Sequence, residues 1–424
     1  MRIEIIAIGD ELLDGRTRDS NTYYLGGRLR ALGATLSRVT IVDDTRDALP
    51  DVFREAAARA ELVITSGGLG PTLDDRTRDA IAEAMNAPLI LFEDVLERIR
   101  ARFQSLQMEM AELNVRQAMM PEGAIIHPNE KGTADAFETI IDGTPFISLP
   151  GVPHEFRHIV EKVLVPRLSD LKVRPAYSFH AFGRGESDLA RTIEGLGLDE
   201  SVKITWSARF PTLTVEMSVD PGQEALLSDA VERVSAVIAP WIYVSDNRSA
   251  SGAVAQLLTE RGGTLATAES CTGGLVASQC TDIAGASQWF QRGYVTYSND
   301  AKSTDLGVDP ALIETVGAVS AEVAEAMATG ARQIAETTIA VSITGIAGPG
   351  GGSKEKPVGL VYLSCATETE VATLEVHVPG LRRPEFKSFV SEFALVFVLR
   401  MLQGRVHELE KIRGVRSLSV NDLR

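Results

Sequence analysis

The first 170 residues alternate β-branched runs with amphipathic stretches, and few folds accept that order. IEIIAIG (3–9), TLSRVTIV (35–42) and ELVITSGG (61–68) read as strands, separated by the helical patterns SNTYYLGGRLRALG (20–33) and DALPDVFREAAARA (47–60). Strand–helix alternation of this kind argues a largely parallel sheet with helices on both faces. In such sheets ligands sit at the carboxyl ends of the strands. The polar clusters GDELLDG (9–15) and SGGLGPTLDD (66–75) fall at those ends.

At 424 residues the chain exceeds one ordinary core, so further domains are expected. From about 171 to 247 the pattern changes to a strand (YSFHAFG), a helix (ESDLARTIEGL) and two strands, VKITWSARF and TLTVEMSV, joined around Pro211. This reads as a small α+β module without a dense set of catalytic residue types, suited to a spacer or a dimerising role. After Asp246 and Asn247 a second α/β unit begins with the helix SASGAVAQLLTERGG. Strands follow at TLATAES, GYVTYSN, TTIAVSITG, GLVYLSC and EVATLEVHV. The expected division is 1–170, 171–247 and 248–424.

Composition excludes several classes. Acidic residues outnumber basic ones 58 to 42, a net charge of −16, and no Lys/Arg run exists to track a phosphate backbone. Direct nucleic-acid binding is therefore not expected. Cys271, Cys280 and Cys365 form no CxxC pair, which fits a reducing cytosol. The N-terminus carries Glu4 in its apolar run and reads as a strand, not a signal peptide. The apolar stretch 389–402 is broken by Glu392 and Arg400, so it reads as a buried helix rather than a membrane span. A cytoplasmic protein with no membrane partner is expected.

Three C-terminal segments carry chemistry: TAESCTGGL (267–275), GASQWFQRGYVTYSNDAK (285–302) and SITGIAGPGGGSKEKPVG (342–359). In the first, backbone N–H groups at a helix start make a ready anion site. The second gathers Ser287, Tyr297 and Lys302: a hydroxyl, a phenol and an amine, with no histidine among them. Of the six histidines only His377 and His407 lie in this unit, and neither is in these segments, so a Ser–His–Asp triad lacks support. A lysine whose pKa is lowered by burial can instead serve as the base for a serine. Tyr297 ends a predicted strand, and Lys302 lies one turn into the next helix, with Ser298 or Asn299 as N-cap. Taken singly, Lys302 reads as a solvated lysine, Tyr297 as a sheet residue and Ser287 as a cap. Cys271 is a rival nucleophile, since a thiol near a helix N-terminus is acidified, but no base accompanies it.

Four N-terminal loops sit at predicted strand ends: GDELLDG, TSGGLGPTLDDRT (65–77), PNEKGTA (128–134) and LPGVPHEF (149–156). Gly9, Gly67, Gly68 and Gly70 let the backbone close on a flat or phosphorylated ligand, with Asn129 in the third loop. Asp10, Glu11, Asp74 and Asp75 supply hard oxygen donors. Any one loop alone reads as a turn with caps such as Asp75 or Thr77; four on one edge make a site. His154-Glu155-Phe156-Arg157-His158 fits the HExxH zinc pattern, but no third ligand is near in sequence, and coincidental histidines on a surface helix are expected. No GxxxxGK[ST] loop occurs.

TAESCTGGL, GYVTYSNDAK, GAVSAEVAEAMATGAR (317–332) and SITGIAGPGGGSKEKPVG together resemble the C-terminal domain of the CinA (competence/damage-inducible protein A) family. The resemblance implies an amidohydrolase that converts nicotinamide mononucleotide to nicotinate mononucleotide and ammonia without a cofactor. It carries the nucleophile onto Ser287, with Tyr297 and Lys302 as its catalytic partners. Ser270, Thr272, Gly273, Thr344 and Gly345 match pocket positions. Arg382 in PGLRR matches a late arginine, with Lys387 standing in for a second basic residue.

The N-terminal loops resemble the CinA N-terminal domain, itself similar to the molybdopterin-binding proteins MogA, MoaB and MoeA. That implies a metal-dependent ADP-ribose pyrophosphatase giving AMP and ribose 5-phosphate, with a divalent cation on Asp10, Asp74 and Asp75. One departure stands out: GTADAF replaces the usual GTAPGF, placing Asp135 and Ala136 where Pro and Gly are expected. The competing reading is a pterin-like binding or scaffold module without hydrolysis. The middle module resembles a KH-like domain, although the acidity and the lack of a basic, glycine-containing clamp argue against RNA. The whole is then a multi-domain α/β chain: a MogA/MoaB-like parallel-sheet domain, a small α+β KH-like domain and an α/β deamidase domain. It would act on small nucleotides and form a homodimer.

Overall fold

All six residues of strand β1 (Ile3–Ile8) are buried, and their alternation decides which core each one joins. Ile3 and Ile5 pack with Leu25, Leu29 and Phe156, while Ile6 and Ile8 pack with Phe53, Ile81 and Phe137. A strand apolar on both faces is what a sheet covered by helices on both sides requires.

The computed structural model describes residues 1–44, 48–171, 173–244 and 248–422. They form two compact units, Met1–Arg174 and Pro175–Arg424. Asp246 and Asn247, where the sequence suggests that the last unit begins, lie outside the described residues.

In the first unit β1 is flanked by β2 (Leu36–Val42) and β3 (Leu62–Ser66). A two-stranded ribbon, β4 (Leu89–Leu91) with β5 (Met119–Pro121), stands apart. The main sheet continues through β6 (Ile125–His127), β7 (Ala136–Ile141) and β8 (Thr144–Leu149), in the order β2-β1-β3-β8-β7-β6. The first four are parallel, and β7 runs antiparallel to both of its neighbours, β8 and β6. The carboxyl ends of β1, β3 and β8 therefore open on one edge, where GDELLDG, TSGGLGP and LPGVP emerge. Gly67 has φ +106°, and a Cβ on it would lie 2.2 Å from the Ile8 carbonyl oxygen, so only glycine allows β1 and β3 to end this close together.

The second unit contains two sheets. One is antiparallel, in the order β10-β11-β9-β12, from β9 (Ala176–Phe182), β10 (Lys203–Arg209), β11 (Thr212–Ser218) and β12 (Ile242–Val244). The other is built from β13 (Leu265–Glu269), β14 (Phe290–Val295), β15 (Ile339–Gly345), β16 (Leu360–Ala366), β17 (Glu370–His377) and β18 (Val415–Asp422). Its order is β14-β13-β15-β16-β17-β18, parallel as far as β15 and antiparallel beyond. The sequence reading does not anticipate β18, whose side chains are mostly exposed.

Two helices position the site. Arg383–Gln403 is buried along most of its length, and no helix is long and apolar enough to cross a membrane among the described residues. In Ala321–Ala335, Gly330 is approached so closely that a Cβ there would meet the Leu306 carbonyl oxygen at 1.9 Å. That contact seats the helix Asn299–Leu306, which bears Lys302.

Candidate functional sites

β13 ends at Glu269, whose fully buried carboxylate turns back over the start of the helix Leu275–Thr281. It accepts the N–H groups of Gly274 (3.0 Å), Val276 (3.2 Å) and Ala277 (2.8 Å). The anion site that the sequence suggests at this helix start is thus filled by the chain's own carboxylate.

Ser270 comes next, its backbone N–H held by the Ile343 carbonyl at 3.0 Å. Its hydroxyl lies 3.2 Å from the Lys302 amine, which also donates to the carbonyls of Thr296 (2.9 Å) and Ser298 (3.4 Å). Lys302 sits in the first turn of its helix, where Ser298 is the N-cap and accepts the Ala301 N–H at 3.1 Å. Lys302 is 1% exposed, and no carboxylate pairs with it among the described residues. Burial holds its amine below the ordinary lysine pKa.

The other expected residues divide. Ser287 stands on the exposed turn Ala286–Gln288, and its hydroxyl makes no hydrogen bond within the described residues. Tyr297 is 61% exposed in the loop after β14, which ends at Val295 rather than at Tyr297 as the sequence suggests. Its phenol oxygen accepts from Arg383 at 2.9 Å. Arg383 also donates to the Gly348 carbonyl at 2.9 Å, joining the glycine-rich loop to Tyr297. Arg382, the arginine singled out by resemblance, points to solvent and pairs with Glu385. The signal that separates the two is positional: Arg382 is the N-cap and Pro384 follows within the first turn, so adjacent side chains diverge. A Cβ on Gly273 would lie 3.7 Å from the Lys387 amine, which places that lysine against the AESCTGG turn.

Thr344 is buried and its hydroxyl donates to the Ala318 carbonyl at 2.7 Å, so its proton is not free for an oxyanion. Thr272 is also buried, and its hydroxyl has no partner among the described residues. Gly345 ends β15 against Val361, where a Cβ would meet side-chain atoms at 2.8 Å. Burial pushes the Cys271 thiol up to about 12, the opposite of the acidification that a helix start suggests. Cys271 is therefore a poor nucleophile.

In the first unit a cavity of about 540 Å³ opens at the ends of β1, β3 and β8. Gly9, Glu11, Gly67, Gly68, Gly70 and Asp75 line it, together with Glu155 of the LPGVPHEF loop and Asp44, which lies outside the four loops singled out in the sequence. Burial and the neighbouring Asp10, Asp74 and Glu11 raise the Asp44 pKa. Asp10 and Asp74 do not line the cavity. Asp75 accepts the N–H groups of Gly70 (2.7 Å) and Thr72 (2.8 Å), so it ties the glycine loop rather than capping the helix Thr77–Met85, whose N-cap is Arg76. Among the described residues no three His, Cys, Asp or Glu side chains gather to hold a metal ion. Asp10, Asp74 and Asp75 are thus not a ready-made cage.

Asn129 lies in a smaller adjoining cavity of about 180 Å³, and its side-chain atoms are taken by its own loop and Glu155. The departure at Asp135 is neutralised locally: its carboxylate pairs with Arg98 at 2.7 Å and accepts the Asn129 N–H at 2.8 Å. Of the HExxH histidines, His154 is exposed and His158 faces Glu130 at 3.3 Å.

Comparison with known proteins matches residues 247–402 to "CinA C-terminal domain" and residues 4–170 to "Probable molybdopterin binding domain". A CinA-like protein of Citrifermentans bemidjiense is 38% identical over 409 residues, covering 96% of this chain and 98% of that protein. A CinA-like protein of Geobacter sp. is 39% identical over 373 residues, covering 87% and 90%. Among solved structures, the competence/damage inducible protein CihA from Agrobacterium tumefaciens is 42% identical over 36% of this chain and 95% of its own, with a TM-score of 0.35.

Proposed function

The chain belongs to the CinA family, and from that premise we propose that its second unit is an amidohydrolase that deamidates nicotinamide mononucleotide. One observation carries the reading: a buried lysine amine, with no carboxylate partner among the described residues, lies in hydrogen-bond contact with a serine hydroxyl. Such an amine, its pKa lowered by desolvation, suits the role of base.

In the proposed reaction the serine Oγ bonds to the carboxamide carbon while its proton passes to Lys302 Nζ. The tetrahedral intermediate then collapses, the Lys302 ammonium protonates the amide nitrogen as the C–N bond breaks, and ammonia departs. Water attacks the acyl carbon as Lys302 takes its proton; the C–Oγ bond then breaks, the Lys302 ammonium returns that proton to Ser Oγ, and the acid product leaves, ionising to the carboxylate in solution. Contact favours Ser270 as the nucleophile; the resemblance favours Ser287, which remains the second candidate. Arg383 and Lys387 supply positive charge for the 5′-phosphate, and Arg383 orients the Tyr297 phenol. The test is ammonia release from nicotinamide mononucleotide without added metal. Silence from folded wild-type protein would reject the reading.

For the first unit we propose a pyrophosphate-bridged nucleotide as ligand, ADP-ribose being the substrate that family resemblance implies. The acid-lined cavity at the strand ends supports it. The donors suit a hard divalent cation that arrives with phosphate oxygens, since magnesium commonly takes one or two carboxylates and completes its shell from substrate and water. Glu11 and Asp44 are the lining carboxylates that would hold it. When bound, such a cation would polarise a phosphoryl oxygen. Turnover of ADP-ribose with a panel of divalent metals tests this, and binding without turnover would favour the scaffold reading.

A further inference from the structure

The helix Arg383–Gln403 touches two places that the sequence reading kept apart. Its first turns hold Arg383, on Tyr297 and Gly348, and Lys387, against Gly273. Farther along, the helix packs chiefly on its own α/β unit, and side chains of the small antiparallel sheet meet it at separate points. The Phe389 ring lies 4.8 Å from Phe182 and 6.3 Å from Phe210, and Phe393 lies 5.1 Å from Phe182. One turn on, the Glu392 carboxyl is set against the hydroxyls of Tyr243 and Thr212, which are themselves 2.9 Å apart. Farther along, the buried Arg400 guanidinium donates to the carbonyls of Ala239 (3.3 Å), Pro240 (3.2 Å) and Ile242.

Three successive levels of one helix thus bear on β9, β11 and the segment into β12, while its first turns face the site. Close-packed interiors pass a displacement along a rigid helix instead of absorbing it. We propose that the small α+β module positions this helix, and through it the Arg383–Lys387 pair, so that Phe210 and Tyr243 are positioning residues for recognition of the substrate's phosphate. The proposal rests on the deamidase reading. It gives the module a part in nucleotide recognition instead of that of a passive spacer.

The experiment uses the full chain carrying Phe210→Ala or Tyr243→Phe. Phe210 is 52% exposed, so its truncation leaves the core in place. KM and kcat are measured for nicotinamide mononucleotide and for nicotinamide riboside, which lacks the phosphate. The expected result is a KM for the nucleotide raised about fivefold, with kcat within about twofold and the riboside unaffected. Phe210→Leu should restore most of the KM. Unchanged KM in both folded variants, or equal losses on both substrates, would overturn the proposal. If wild type releases no ammonia, the deamidase reading fails separately. Calorimetric affinity for nicotinamide mononucleotide in the same variants then decides the positioning claim, and unchanged affinity overturns it.

Discussion

The Lys302 amine and the Ser270 hydroxyl lie 3.2 Å apart, the lysine carried on a helix start and the serine on the end of a parallel strand. Neither carbonyl that shares the amine can neutralise a positive charge, so the folded state binds that proton less tightly than the unfolded chain.

Lys302→Met follows from this. Removing the base should lower ammonia release by about 10²–10⁴-fold. Stability at neutral pH should hold or rise, because a buried unpaired ammonium is removed. In the wild type, stability should increase with pH between the lowered folded pKa and the unfolded value of 10.5, since over that window the unfolded chain holds the proton more tightly. Turnover should likewise climb on the acid side of the folded pKa. Chemical denaturation and initial rates over a pH series read both, and a lysine variant with wild-type turnover would remove it from the chemistry.

The two serines separate cleanly. Ser270→Ala deletes the hydroxyl that meets the amine and should abolish the acyl-enzyme, whereas Ser287→Ala alters an exposed turn. Single-turnover assays of both, with trapping of the acylated residue by mass spectrometry, assign the nucleophile. Acylation of Ser287 would show that the turn Ala286–Gln288 moves onto Lys302 during catalysis. Cys271→Ala should keep near-wild-type turnover, as its thiol remains protonated.

Adjacent arginines should behave differently. Arg383→Ala removes the contacts to Tyr297 and Gly348, and KM for the nucleotide should rise about 10- to 100-fold, matching ~1.5–3 kcal/mol for hydrogen bonds to a charged group. Arg382→Ala loses only an exposed pair with Glu385 and should sit within about twofold of wild type. The reverse ranking would restore Arg382 to the site.

Gly67→Ala addresses the first unit alone. Its positive φ and the approach of the Ile8 carbonyl predict a loss of about 1–3 kcal/mol from backbone strain, with further loss as the strand ends part. Nucleotide binding in the 540 Å³ cavity should fall while ammonia release is retained. A fully stable variant would contradict the packing described for β1 and β3.

The continuous β-branched runs made β1, β3, β13 and β15 legible, because burial on two faces leaves an unmistakable apolar record in Ile3–Ile8 and Ile339–Gly345. β18 left none, since an edge strand with mostly exposed side chains needs no alternation. The motifs located Lys302 and the turn around Ser270; the resemblance carries the nucleophile onto Ser287, while the contact between Ser270 and Lys302, 32 positions apart, is one that no spacing in the sequence announces. Asp44 escaped notice because it follows β2 without a glycine motif. Glu269 was passed over because its partners lie five to eight residues ahead, at a helix start whose donors looked available.

That last carboxylate has an effect beyond capping. By folding its charge inward onto three backbone donors, Glu269 leaves Arg383 and Lys387 without an acidic counterweight of its own at the rim. A chain with net charge −16 repels small anions on balance, so this rim is a local reversal in an otherwise unfavourable field. If the proposed deamidase reading holds, a nucleotide would be turned away from most of the surface and drawn in here, and the encounter itself would become a step of selection that dissolved salt weakens.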